Sequence, residues 1–258
     1  MRYTHTYRML LILLLIVVLL LLNLLLGSVS IPAQSIWNIL TGTGNEPVSW
    51  QNIVWKSRLP QALTALAAGA GLAVSGLQMQ TVFRNPLAGP SVLGISSGAS
   101  MGVAFVILLS GSLGGVALSR LGVMGEIALS VAAIIGSLSV MALIVYVSQK
   151  VKGNVTLLII GVMIGYVSNA VIGVLKFFSV EEDIRAYVIW GLGSFSRVSG
   201  NQMMLFVTLM AISLPLSFLL IKTLNLMLLG DGYARNLGLN IKRARLLVIT
   251  SAGVLTAI

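Results

Sequence analysis

Long apolar runs separated by short polar breaks organise this chain. The runs occupy residues 9–27, 61–83, 92–110, 122–148, 155–178 and 201–221, and a seventh opens near 241. A helix needs roughly 20 apolar residues to cross a hydrocarbon layer about 30 Å thick, so the pattern predicts an all-α, polytopic transmembrane helical bundle of six or seven spans. The third run is short and rich in glycine and serine, and its ends are the least sharply marked. One transmembrane domain is expected over residues 1–258, with a polar loop at 222–240.

The breaks carry more information than the spans. Arg84, Asn85, Pro86, Leu87, Ala88, Pro90 and Gly94 lie in a polar break between two strongly apolar segments. A second break follows the apolar stretch Leu224–Leu229, where Gly230 interrupts the helix pattern. Asp231 there can cap a further turn with Ala234, Arg235 and Leu237 inside it, and Gly238 ends that turn. Two short helices joined at Gly230-Asp231 with a basic rim suit a knob that enters a partner, although an amphipathic loop at the membrane surface fits as well. Ser179-Val-Glu-Glu182 has the form of a capping box and predicts a short helix from Ser179 that ends at Gly191 and Gly193. Gly161, Gly165, Asn169 and Gly173 recur every four residues, which places them on one helix face. That face either packs on a neighbouring helix, with Asn169 hydrogen-bonded across, or lines a solute path.

Composition strengthens the membrane reading. The chain is 57% hydrophobic and 9% charged with a mean hydropathy of +1.03, whereas soluble domains carry about 25% charged residues. The net charge of +10 points to anionic lipid headgroups and not to nucleic acid, because no basic patch is interleaved with aromatics. With the N-terminus cytoplasmic, ten Lys and Arg residues fall in inner loops and six in outer ones, the six being Lys56, Arg58, Arg120, Lys176, Arg185 and Arg197. Arg2 and Arg8 before the apolar run Met9–Leu26 leave a signal peptide as an alternative to a first span, but the run exceeds the usual h-region of about 7–15 residues. Trp37, Trp50, Trp55 and Trp190 all fall in outer segments, where membrane anchoring or ligand stacking would use them.

Several chemistries lack their residues. Gly94-Ile-Ser96-Ser-Gly98 fits the nucleophile-elbow pattern, but His5 is the only histidine and stands in the N-terminal tail, so no base is available. The same five residues have the G-x-x-x-G spacing of helix packing. No G-x-x-x-x-G-K-[ST] loop occurs, so any ATP that drives this chain is bound elsewhere. Zero cysteines exclude thiol chemistry and disulfides, and the eleven methionines read as core filler. No catalytic residues, metal site or cofactor are expected.

The ordered series Arg58-Leu-Pro60, Gly69-Ala-Gly-Leu-Ala-Val-Ser-Gly-Leu-Gln-Met-Gln80, Arg84–Gly94 and Gly94-Ile-Ser-Ser-Gly-Ala99 resembles the FecCD-type permeases, the membrane subunits of ATP-driven importers for ferric siderophores, haem and vitamin B12. Gly230-Asp-x-x-Ala-Arg-x-Leu-Gly-Leu-Asn240 looks like the same family's coupling helices. The resemblance implies a bacterial inner-membrane permease, paired as a homodimer or with a homologous permease. It also implies an ABC ATPase docked at Leu229, Gly230, Asp231, Ala234, Arg235, Leu237 and Gly238, and a solute path along Gly161, Gly165, Asn169 and Gly173. A periplasmic or lipoprotein substrate-binding protein would dock at Lys56, Arg58 and Arg197, where lipid phosphates are the competing partners. Gln61 stands where the family carries a second arginine, which weakens that last site. A short outer helix within 179–200 would gate the mouth.

Two expectations qualify this. The family has about ten spans and a later glycine-rich segment that this chain lacks, so a C-terminally truncated product is expected. An ion-gradient-driven secondary transporter or channel fragment is the rival class, for which Pro215 would supply a mid-membrane kink.

Overall fold

The computed structural model describes residues 2–112, 123–151, 154–195, 198 and 200–258. Among them the chain is helical throughout, with no strand. In order, the α-helices are α1 (Arg2–Leu25), α2 (Ala33–Thr41), α3 (Val48–Ile53), α4 (Leu59–Phe83), α5 (Ile95–Ser112) and α6 (Val123–Lys150). They continue with α7 (Asn154–Phe177), α8 (Glu181–Gly191), α9 (Gly200–Phe218), α10 (Ile221–Leu228), α11 (Asp231–Asn236) and α12 (Ile241–Ala257). Two compact units form, Met1–Gly69 with Ser194–Thr208 and Ala70–Gly193 with Leu209–Ile258.

Among the described residues, four helices are long and apolar enough to cross a membrane: Thr6–Leu25, Val48–Phe83, Ile127–Lys150 and Val155–Phe177. A fifth is present if Met203–Phe218 and Ile221–Leu228 are one span broken by a 50° bend. Of the six or seven spans expected, four or five therefore have full crossing length among the described residues. The run at 92–110 becomes a shorter apolar helix, Ile95–Leu109, because Gly94 turns left-handed (φ 72°) ahead of it. The run at 201–221 stops at Phe218. Pro215 sits inside α9, and the bend falls after it, where Leu219 and Leu220 close back on Leu216 and Ser217. The last helix has 17 residues.

In the first unit, α1 is apolar around its whole circumference and almost entirely exposed, as a helix surrounded by lipid would be. Ile31, Ile36, Ile39 and Val54 form a small core beneath it. Between α3 and α4 the chain takes one wide turn, Val54–Arg58, whose closing bond runs from Leu59 N–H to Val54 O. Pro60 follows, and a proline ring excludes the ordinary carbonyl four residues earlier, so the wider turn accommodates it.

In the second unit α5 is central and packs on α6, α7, α8 and α12. Its crossing with α6 is close: a methyl on Gly98 would stand 2.6 Å from Gly136 O. Small residues at such crossings let backbones approach where lipid supplies no hydrophobic drive between helices. Gly98 and Gly102 carry this contact. The sequence spacing had placed it one turn earlier, on Gly94 and Gly98, but Gly94 belongs to the turn and not to the helix. The core of the unit joins Met79, Leu93, Ile144, Leu157, Met227 and Ile249.

Candidate functional site

The break at residue 84 is a built turn. Asn85 N–H donates to Gln80 O (3.2 Å) and closes α4, with Arg84 in the left-handed region at φ 50°. Leu87 N–H donates to Asn85 Oδ1 at 2.9 Å and Ala88 N–H to Asn85 O at 3.0 Å, so Asn85 shapes the loop through its own side chain. Pro86 and Leu87 are exposed and Ala88 is buried. Pro90 then opens a single 3₁₀ turn, Pro90–Leu93, that ends at Gly94.

The loop at 222–240 folds as the pair of short helices expected from sequence. Gly230 joins α10 to α11 at φ 109° and ψ 147°, a conformation open essentially to glycine alone. Ala234 N–H returns to Gly230 O at 2.8 Å, and Leu239 N–H to Ala234 O at 2.9 Å closes the turn past Gly238. Ala234 is fully buried, whereas Leu229, Tyr233, Arg235 and Leu237 are exposed. Asp231 supplies no side-chain cap. Its carboxylate reaches out of the loop, with Oδ1 at 2.5 Å from Arg84 Nη2 and Oδ2 at 3.6 Å from Arg245 Nη2. The two breaks singled out separately in the sequence are thus one place in the fold.

On α7 the four-residue stripe divides. Gly161 is buried, and a methyl there would meet Val92 O at 2.6 Å; Gly165 lies beside Gly94. Asn169 and Gly173 are exposed, and among the described residues nothing lies within 4 Å of a methyl at Gly173. The lower half of the stripe therefore packs on the turn before α5, and the upper half is open. An apolar cleft of about 440 Å³ lies beside it, lined by Met101, Val140, Ile164 and Val167 among others, and none of the four stripe residues lines it.

Of the three residues expected to dock a binding protein, Lys56 is exposed and Arg197 lies outside the described residues, as do Arg120 and Lys152. Arg58 is buried, and its guanidinium donates to Leu24 O at 2.7 Å, Leu25 O at 3.1 Å and Val29 O. Leu24 and Leu25 close α1, with Val29 just beyond it, and at a helix C-terminus, where carbonyls lack intrahelical donors, a cation is favoured. Arg58 is committed to them and does not face outward.

Helix α8 starts at Glu181, two residues later than the capping-box reading, with no side-chain cap. Ser179 Oγ donates instead to Leu175 O and Leu108 O at 2.6 and 3.1 Å. Asp183 is buried there with Oδ2 unpartnered among the described residues. Burial, and secondarily the neighbouring charge of Glu182, push its carboxyl above the ordinary 3.8. Burial likewise raises the Tyr187 phenol, which a hydrogen bond with Ser100 partly offsets.

Sequence reasoning missed a polar seam between α4 and α12. Ser75 Oγ bonds Ala252 O and Thr256 Oγ1 at 3.0 and 2.9 Å, and Gln78 Nε2 donates to Ser251 Oγ at 3.1 Å. Polar residues three apart in an apolar run, Ser75 and Gln78, were the available signal.

Long apolar helices, tightly packed through small residues and ending in an exposed helical knob, define a polytopic membrane transport subunit. The chain belongs to the FecCD transport family, whose profile matches residues 14–258, and it is a multi-pass inner-membrane protein. It is 34% identical over 231 residues to the hemin transport system permease protein HmuU of Yersinia pestis, covering 89% of this chain and 66% of that one. To the vitamin B12 import system permease protein BtuC of Serratia proteamaculans it is 33% identical over 243 residues, covering 92% and 69%. A solved metal-chelate type ABC transporter in an inward-facing conformation superposes with a TM-score of 0.76 at 30% identity, over 95% of this chain and 71% of that chain. The chain thus spans about two thirds of the length of these relatives.

Proposed function

We propose that this chain is the permease subunit of an ATP-driven importer that moves ferric-siderophore, haem or cobalamin-type chelates across the inner membrane. The observation that carries this reading is the helix pair at Gly230-Asp231, which holds Ala234 inside while Leu229, Tyr233, Arg235 and Leu237 stand outside. Exposed apolar side chains beside charge, on a knob fastened to the core, suit docking into a partner's cleft better than contact with water. The partner is a separate ABC ATPase, and the N-terminus is cytoplasmic.

On the outer face Lys56 contributes charge to a site for a substrate-binding protein, and the open face at Asn169 and Gly173 borders the path in a permease pair. Long apolar helices do not require catalysis of their own: two packings of small-residue interfaces, selected by the ATPase, give alternating access.

The test is uptake of a chelate panel into proteoliposomes that hold this chain with its ATPase and binding protein. ATP-dependent uptake that Gly230→Leu or Ala234→Leu uncouples from hydrolysis is the expected outcome. Uptake without nucleotide, driven by an ion gradient, would overturn the reading in favour of a secondary transporter.

A further inference from the structure

We infer that Arg84 is a positioning residue for energy coupling: through Asp231 it fastens the helix pair at 221–236 to the end of the long span α4, an inference that rests on the permease reading above. Arg84 follows the last turn of α4 in the left-handed region, φ 50°, and the bond from Asn85 N–H to Gln80 O closes the helix over it. Glycine is the residue this position prefers, because a Cβ costs about 1 kcal/mol there. An arginine at such a site needs a reason that its backbone does not supply.

The side chain supplies one. Its Nη2 lies 2.5 Å from Asp231 Oδ1, and the two residues stand 147 positions apart in the chain. Asp231 is the first residue of α11, directly after the Gly230 hinge, so the contact grips the helix pair where its direction is set.

The other half of the carboxylate faces a second arginine. Arg245 is 7% exposed on the core side of α12, and its Nε has no hydrogen-bond partner among the described residues. A buried guanidinium is costly without an opposite charge. Asp231 Oδ2 faces it at 3.6 Å, too long for a hydrogen bond of ordinary length. One carboxylate thus stands between an exposed arginine just past α4 and a buried one on α12, nearer the first. Movement of the knob changes how that charge is shared, and both α4 and α12 respond.

The experiment compares Arg84→Gly, Arg84→Lys and the unaltered chain, each assembled with its ATPase and binding protein in proteoliposomes. Assembly, thermal midpoint, ATP hydrolysis and chelate uptake are read together. Arg84→Gly relieves the backbone and is expected to assemble with a midpoint no lower than the unaltered chain. Its uptake per ATP is expected to fall about five-fold, which at 1.4 kcal/mol per tenfold is the most that a half-exposed ion pair supplies. Arg84→Lys keeps the charge and should retain most of the uptake.

Equal uptake per ATP in Arg84→Gly and the unaltered chain would overturn the inference. So would a lower midpoint or failed assembly in Arg84→Gly, which would make Arg84 a residue of the fold alone. If the unaltered chain shows no ATP-dependent uptake at all, the permease reading itself fails, an outcome separate from any difference among the variants.

Discussion

Gly161 and Leu93 meet through their backbones: a methyl built on Gly161 would lie 2.9 Å from Leu93 Cα, and 2.6 Å from the neighbouring Val92 O. Neither obstacle is a side chain that could swing away. Gly161→Ala must therefore push α7 off the 3₁₀ turn that precedes α5, an overpacking that costs about 1–3 kcal/mol. The control stands on the same stripe. Gly173 has nothing among the described residues within 4 Å of such a methyl, so Gly173→Ala should be neutral or raise stability by up to about 1 kcal/mol through helix propensity. Thermal unfolding in detergent separates the two, and equal midpoints would refute the close contact.

Arg58 offers a second test, because its burial removes it from the partner surface. Arg58→Ala leaves the carbonyls of Leu24, Leu25 and Val29 without their donor, at a cost of about 1–3 kcal/mol. Arg58→Lys restores only part, since an ammonium cannot span three acceptors as a guanidinium fork does. Gly27 is linked to the same contact, for a methyl there would stand 2.8 Å from Arg58 Nη2. Both Arg58→Ala and Gly27→Ala are expected to lower the midpoint and expose residues 26–32 to protease. Lys56→Glu should weaken binding-protein affinity while leaving the midpoint unchanged.

These cases show which parts of the molecule could be read from the chain alone. The helix pair at 221–236 was legible because Gly230 and Gly238 are local signals, and their conformations follow from a few neighbours. Its meeting with Arg84 was not, since no local pattern reports a contact across 147 residues. Charge at Arg58 read as a surface cation, but whether a guanidinium faces water or a helix end depends on where α1 terminates in space. The Ser179 box failed for a related reason: carbonyls of Leu175 and Leu108 competed for the hydroxyl and won it. Where apolarity continued past a turn, at Gly94 and after Phe218, the helix ends could not be read from the hydrophobic pattern.

Gly230 carries a conformational prediction independent of any partner. At φ 109° and ψ 147° an alanine pays steric strain of about 1–3 kcal/mol, although no neighbour closer than Arg84 at 4.0 Å opposes the methyl. Gly230→Ala should therefore insert and pack its core normally while re-aiming α11. Increased proteolysis confined to residues 229–239, with the global midpoint little changed, is the expected result; a large fall in the midpoint would mean that the loop is part of the cooperative core.

The last prediction concerns pH at α8. Burial first, and the charge of Glu182 second, hold the Asp183 carboxyl above its ordinary 3.8 in the folded chain. The folded state therefore binds this proton more tightly than the unfolded one, and ionisation works against the packing of α8. Stability from this group is fully present below 3.8, and is lost as pH rises through the raised folded value. At neutral pH the Oδ2, unpartnered among the described residues, is a standing cost. Asp183→Asn keeps the shape and removes the charge, so it should raise the midpoint at pH 7 and make no difference at pH below 3.8. Trp190, stacked on Tyr187 with ring centroids 6.4 Å apart, reports the same change by fluorescence. The difference between the two chains, followed across pH, isolates Asp183 from other carboxylates; a difference that grew toward acid would reverse the sign and refute the argument.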